Sequence, residues 1–250
     1  MLFVAPQGIR EIQNNYMSTL VIDIETIGED FDSLDETSQH MLTRWLKMES
    51  YSEDGYAQAL NNIKNEMGFS PLTGQIVAIG ALDCEKNKGA VYYQAPGQSN
   101  SDIEENGVVF KQKTEAEMLK SFWQGATEYD DFVSFNGRCF DAPYLMTRSA
   151  IHKIKPTKNL LSNRYLSLQR GARHVDLRDQ FSFYGAVRRA GSLHLYCRAF
   201  GIKSPKASGI AGDDVARLFK EKKFLEIAKY NAGDLVATKE LFEYWRDYLS

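Results

Sequence analysis

The chain has 250 residues, 43% of them hydrophobic and 25% charged, with a formal net charge of −3. That is enough for one sizeable α/β domain, and the composition is that of an ordinary folded protein rather than a disordered or fibrous one. No apolar run approaches the roughly 20 residues of a membrane span, the opening MLFVAPQGIREIQ lacks the basic n-region of a signal peptide, and three widely spaced cysteines (Cys84, Cys139, Cys197) suit a reducing cytoplasm better than a disulfide framework or a zinc site.

TLVIDIET, Thr19 to Thr26, reads as the first strand. Side chains alternate along a strand, so Leu20, Ile22 and Ile24 share one face while Val21, Asp23 and Glu25 share the other. The segment 28–73 is polar, with helical stretches at QHMLTRWLKM and GYAQALNNIKNEMG. We read it as an insertion or lid within a single domain spanning residues 1–250. GQIVAIGALD and GAVYYQAP give two further strands joined by a turn. KTEAEMLKSFWQGA is a helix whose Thr114 and Glu117 have the spacing of a capping box. DDFVSFNG is a fourth strand closed by Asn-Gly, and FDAPYLMTRSAIH a helix that tolerates Pro143 near its first turn. Helices follow at SLHLYCRAFG (with Ser192 as cap), at DDVARLFKEK, and at FLEIAKYNAGDLVATKELFEYWRDYL (224–249). Three strands can form an antiparallel meander, to which the helix-connected fourth adds in parallel.

Asp23 and Glu25 are two acids on one strand face. Burying them together is costly unless a cation or hydrogen-bond donors compensate. A hard divalent cation with oxygen ligands does so, although D-x-E alone is more simply a strand end with solvated acids. Asp141 stands where a helix begins and by itself reads equally as a cap. Tyr230 and Asp234 are four apart and share a face of the last helix. Gly233 between them permits close packing on the sheet or close approach of a ligand.

The small net charge hides a segregation. From Asp23 to Glu66 there are eleven acids against three bases; from Arg138 to Lys206, fourteen Lys or Arg against three acids. Aromatics are interleaved in the basic part, the combination that a single-stranded nucleic-acid groove uses, and equally one of core rings beneath solvated charges.

Taken in order, D-x-E on the first strand, SFNGRCFD after the fourth, and Tyr-x-x-x-Asp on the last helix resemble the DEDD superfamily of 3′–5′ exonucleases. Tyr230 matches its tyrosine subgroup; the histidine type carries His five residues before the last Asp, where this chain has Lys229. GQIVAIGAL, HVDL and SPKASGIAGDDVARLF extend the likeness to predicted exonucleases related to the proofreading domain of family B DNA polymerases. The resemblance implies an α/β, RNase H-like mixed sheet flanked by helices. It implies hydrolysis of phosphodiester bonds from the 3′ end of nucleic acid, single-stranded DNA above all, with two Mg²⁺ (or Mn²⁺) ions. Asp23, Glu25, Asp141 and Asp234 would be the metal ligands, with Asp23 bridging both ions. Tyr230 would orient the attacking water, and Thr26, Asn136 and Phe140 would bind the terminal nucleotide. An RNA-trimming enzyme and a non-catalytic nucleic-acid-binding module on the same fold are the alternatives, and a replication or repair protein is a conceivable partner.

Other residues carry weaker expectations. Asp176 reads as a helix cap before a metal-side acid. Lys206, Ser208 and Gly209 form a loop with too little pattern for a phosphate cradle. His40, His152, His174 and His194 lack ligand spacing and read as ordinary surface or partly buried residues. Glu29, Asp30, Asp32, Asp35 and Glu36 read as a solvated face of the insertion.

Overall fold

The computed structural model describes residues 18–46, 52–99, 101–205, 209 and 212–250. The opening segment, Lys206 and Ser208 lie outside the described residues, as does the C-terminal end of the first insertion helix. The sheet has seven strands in the order β4-β5-β3-β2-β1-β6-β7. β1 (Thr19–Gly28), β2 (Gly74–Asp83) and β3 (Lys88–Tyr93) form the expected antiparallel meander, and β6 (Asp131–Ser134) lies parallel to β1.

Three strands went unread in the sequence. β4 (Ile103–Glu105) and β5 (Val108–Gln112) form a hairpin whose Asn106 and Gly107 both have positive φ, 52° and 79°. That is the backbone a two-residue hairpin turn requires. β7 (Arg173–Asp176) is four residues long and pairs with β6 in parallel. Such short strands carry little periodicity to read.

The faces of β1 divide as alternation requires. Leu20, Ile22 and Ile24 pack on Met118, Leu119 and Phe122 of α3 (Glu115–Ala126) and on Tyr144 and Leu145 of α4 (Asp141–Ile151). Val21 and Ile27 belong to the opposite layer, with Leu235 and Leu241 of α8 (Phe224–Tyr248). The capping box at the start of α3 forms as read, Thr114 and Glu117 each taking the other's backbone N–H. Ser192 sits at the N-cap of α6 (Leu193–Phe200), but its hydroxyl makes no capping bond.

Among the described residues between β1 and β2 are two α-helices, α1 (Glu36–Thr43) and α2 (Glu53–Glu66). The return segment is pinned to the sheet. Thr26 Oγ1 donates to Gly68 O (2.8 Å), and the Tyr144 hydroxyl lies 3.1 Å from both Gly68 O and Ser70 O. Gly28 makes this approach possible: a β-carbon there would sit 2.5 Å from that of Met67. The remaining helices are α5 (Leu177–Phe181) and α7 (Val215–Lys220).

Candidate active site

β6 pairs with β1 only over Thr19–Val21, so beyond Val21 that edge of β1 is open. The side chain that closes it is Asp141, whose Oδ1 accepts from the Ile24 backbone N–H at 2.9 Å. On the face towards α8, Asp23, Glu25 and Asp234 offer oxygens that all lie within 4.8 Å of one another. Four acids predicted as a set from remote parts of the chain are thus brought together. Tyr230 lines the cleft beside Asp23 and Asp234 and is only 9% exposed, with its side chain also bonded to Asp234.

The donors that reach Asp23 and Asp141 are neutral. Asn231 Nδ2 donates to Asp23 Oδ2 at 2.7 Å. Burial therefore pushes the pKa values of Asp23 and Glu25 well above the carboxylate range, with repulsion from neighbouring acids adding to the shift. Burial likewise lifts Asp141 to about 7, against the opposing pull of the Ile24 amide. Tyr230 is pushed far above its ordinary value by burial and then by Asp234, Glu25 and Asp23. An all-oxygen set of crowded acids fits a hard divalent cation, whose charge would reverse these shifts. The buried Asn231 Oδ1 is a further oxygen without a hydrogen-bond partner beside the same acids.

Asn231 was not singled out in the sequence. Its position depends on Gly80, which faces Asp23 across the β1–β2 ladder: a β-carbon at Gly80 would lie 2.0 Å from Asn231 Oδ1. A lone glycine inside an apolar strand was the available signal. Gly233 does not pack on the sheet; its open side meets Pro205, with 3.3 Å from an added β-carbon to Pro205 Cβ. Next to Asp234, Leu235 is buried, whereas Val236 turns outward and is 44% exposed.

The turn before Asp141 is tightly determined. Asn136 has a φ of 68°, and a β-carbon at Gly137 would lie 2.2 Å from Ser134 Oγ. Asp176 caps α5 by accepting from Arg178 N at 3.0 Å, and it also clamps this turn, accepting from Asn136 N (2.9 Å) and Arg138 N (3.0 Å). The Asn136 side chain accepts from Arg178 Nη1 (2.8 Å), and the Thr26 hydroxyl is committed to Gly68 O. Phe140 immediately precedes Asp141 and packs tilted on Tyr144. His194 lines the cleft wall with its Nδ1 2.8 Å from Ser204 Oγ. His174 is buried between Ser134 Oγ (2.7 Å) and Leu160 O (3.0 Å).

Residues 75–246 match a family described as "Predicted 3'-5' exonuclease related to the exonuclease domain of PolB". The chain belongs to this family. Asp141, Tyr230 and Asp234 fall inside the matched residues, and Asp23 and Glu25 lie on the strand before them. Among solved structures, the family B DNA polymerase of the hyperthermophilic archaeon Pyrobaculum calidifontis is similar in fold, with a TM-score of 0.52 at 17% identity. The likeness covers 92% of this chain but 24% of the polymerase, so the chain spans about a quarter of that protein's length. The mixed seven-stranded sheet flanked by helices is thus the RNase H-like fold of a polymerase exonuclease domain. No curated protein matches the sequence.

Proposed function

We propose that this member of the exonuclease family is a single-domain, metal-dependent 3′–5′ exonuclease that removes nucleotides from the 3′ end of single-stranded DNA in the cytoplasm. The observation that carries this reading is the meeting of Asp23, Glu25 and Asp234 within 4.8 Å, with Asp141 tied to the same strand. Asp23, Glu25 and Asp234 would hold one Mg²⁺ or Mn²⁺, and Asp23 with Asp141 a second. When bound, such ions supply a nucleophilic water at neutral pH and neutralise charge on the phosphoryl and leaving oxygens.

The side chains around them divide the remaining work. Tyr230 starts from an ordinary tyrosine pKa near 10, and burial, the largest influence on it, raises that further, so it stays protonated at neutral pH. It therefore orients a water by hydrogen bonding rather than acting as a base. Asn231 fixes the Asp23 carboxylate through its 2.7 Å bond. Asp176 holds the turn that sets the position of Asp141. Asn136, Phe140 and Thr26 would hold the terminal nucleotide. The polymerase kinship of the family favours DNA, and Tyr165 and Phe183, exposed within the base-rich segment 138–206, offer stacking faces for a single strand.

With Mg²⁺ or Mn²⁺, the purified protein is expected to shorten a 5′-labelled single strand stepwise from its 3′ end. Asp23→Ala and Asp234→Ala should abolish shortening while the circular dichroism spectrum stays unchanged. Wild-type rates in either variant would overturn the assignment.

A further inference from the structure

Phe69 is a large aromatic ring left 62% exposed at the end of the 28–73 connection. Its backbone is held firmly. The carbonyls on either side, Gly68 O and Ser70 O, are engaged by the Tyr144 hydroxyl, and Gly68 O also accepts from Thr26. The ring stands edge-on to Phe140, with centroids 6.5 Å apart and planes at 73°. Phe140 in turn immediately precedes the acid Asp141, and Phe69 lines one cavity with Thr26, the residue directly after Glu25.

That cavity measures about 950 Å³, and its rim carries Glu29, Asp30, Asp32 and Glu66 against Lys64, which pairs with Asp32, and Lys220, so that acids predominate. Such a rim repels a phosphate backbone but not a neutral, flat heterocycle. Asn61 and Asn65 add amide groups able to pair with base edges. An exposed ring on a fixed backbone, beside an uncharged aromatic partner and within an acidic rim, has the chemistry of a base-stacking surface.

We propose that Phe69, delivered by the connection between β1 and β2, is a stacking wall for a base at the 3′ end of the bound strand, opposite Phe140. The connection then takes part in substrate binding rather than only covering the sheet. This rests on the nuclease reading, and Phe69 is a positioning residue: it grips the base while the bond is cut elsewhere.

The test is steady-state digestion of a 5′-labelled oligothymidylate in Mg²⁺. Phe69→Ala should raise KM about tenfold, the loss expected of one base–aromatic stack, with kcat within about threefold of wild type. Phe69→Trp should restore KM. A substrate whose 3′-terminal nucleotide is abasic should shrink the difference between wild type and Phe69→Ala. Leu72→Ala, at a neighbouring position still more exposed (74%), should change neither constant. An unchanged KM in Phe69→Ala, or an equal loss in Leu72→Ala, overturns the stacking wall and leaves the nuclease reading standing. A wild-type protein that digests nothing sinks both.

Discussion

Two of the places where the structure buries carboxylates treat them in opposite ways. Glu115, at the start of α3, is gripped by Arg148 through Nε (2.8 Å) and Nη2 (2.6 Å), by His152 Nε2 (2.7 Å), and by the Ile76 amide (2.8 Å). Burial pushes its pKa up, but the guanidinium and the amide outweigh burial and hold it below the usual value. Across the sheet, burial raises Asp23, Glu25 and Asp141 and nothing comparable offsets it. An acid with its own cation is part of the scaffold. A cluster of acids answered only by neutral donors has the chemistry to take a cation from outside.

This contrast can be broken in several places. The largest effect belongs to Asp23→Ala and Asp234→Ala, each expected to cut the exonuclease rate on the order of 10³-fold or more, since several kcal/mol of transition-state stabilisation go with the ions. Both should stay folded, because they remove repulsion rather than support. Arg148→Met reverses the pattern. It strands a buried Glu115 and should cost about 3 kcal/mol or more in urea unfolding, and added Mg²⁺ should not repair the loss.

A third buried ionisable group sharpens the comparison. Burial pushes His174 down to about 4, below its unfolded value near 6.5. Between those values the unfolded chain binds a proton that the folded one refuses. Stability is therefore fully present above about pH 6.5 and falls as pH drops towards 4, by up to about 3 kcal/mol. His174→Gln should flatten this part of a stability-versus-pH curve. A smaller effect is expected from the metal: at about one hundred times its Kd, Mn²⁺ should add about 2.7 kcal/mol, read as a higher Tm in the wild type. Asp23→Asn should lose that response, whereas Arg148→Met should keep it. Smallest is Tyr230→Phe, which retains every acid and should slow the reaction about tenfold through lost water orientation, about 1.4 kcal/mol and the scale of one hydrogen bond.

The parts of the fold set by strong local patterns were legible in the sequence. The alternation in TLVIDIET placed its two acids on one face, and Thr114 with Glu117 marked the start of α3. The short strands β4, β5 and β7 were not, because three to five residues carry too little period and their pairing is decided by distant partners. At the site, the acids and Tyr230 are nameable only as a set, through the order in which D-x-E, SFNGRCFD and Tyr-x-x-x-Asp resemble the exonuclease superfamily, since each alone has a plainer reading. Asn231 and Gly80 are not, since an asparagine in a helix and a glycine in a strand gain meaning only when the two elements touch. Asp176 shows the same limit: its capping of α5 is a local pattern, whereas its clamp on Asn136 and Arg138 spans about 40 residues of chain.

The central claim is that the acid cluster is a metal site. A crystal soaked with Mn²⁺ and a nucleoside monophosphate, read by anomalous scattering at the manganese edge, tests it most directly. The expected result is manganese bound by Asp23, Glu25 and Asp234, with a second peak against Asp141 and the phosphate beside them. A map with no peak at these oxygens, or with manganese bound only elsewhere on the protein, would contradict it.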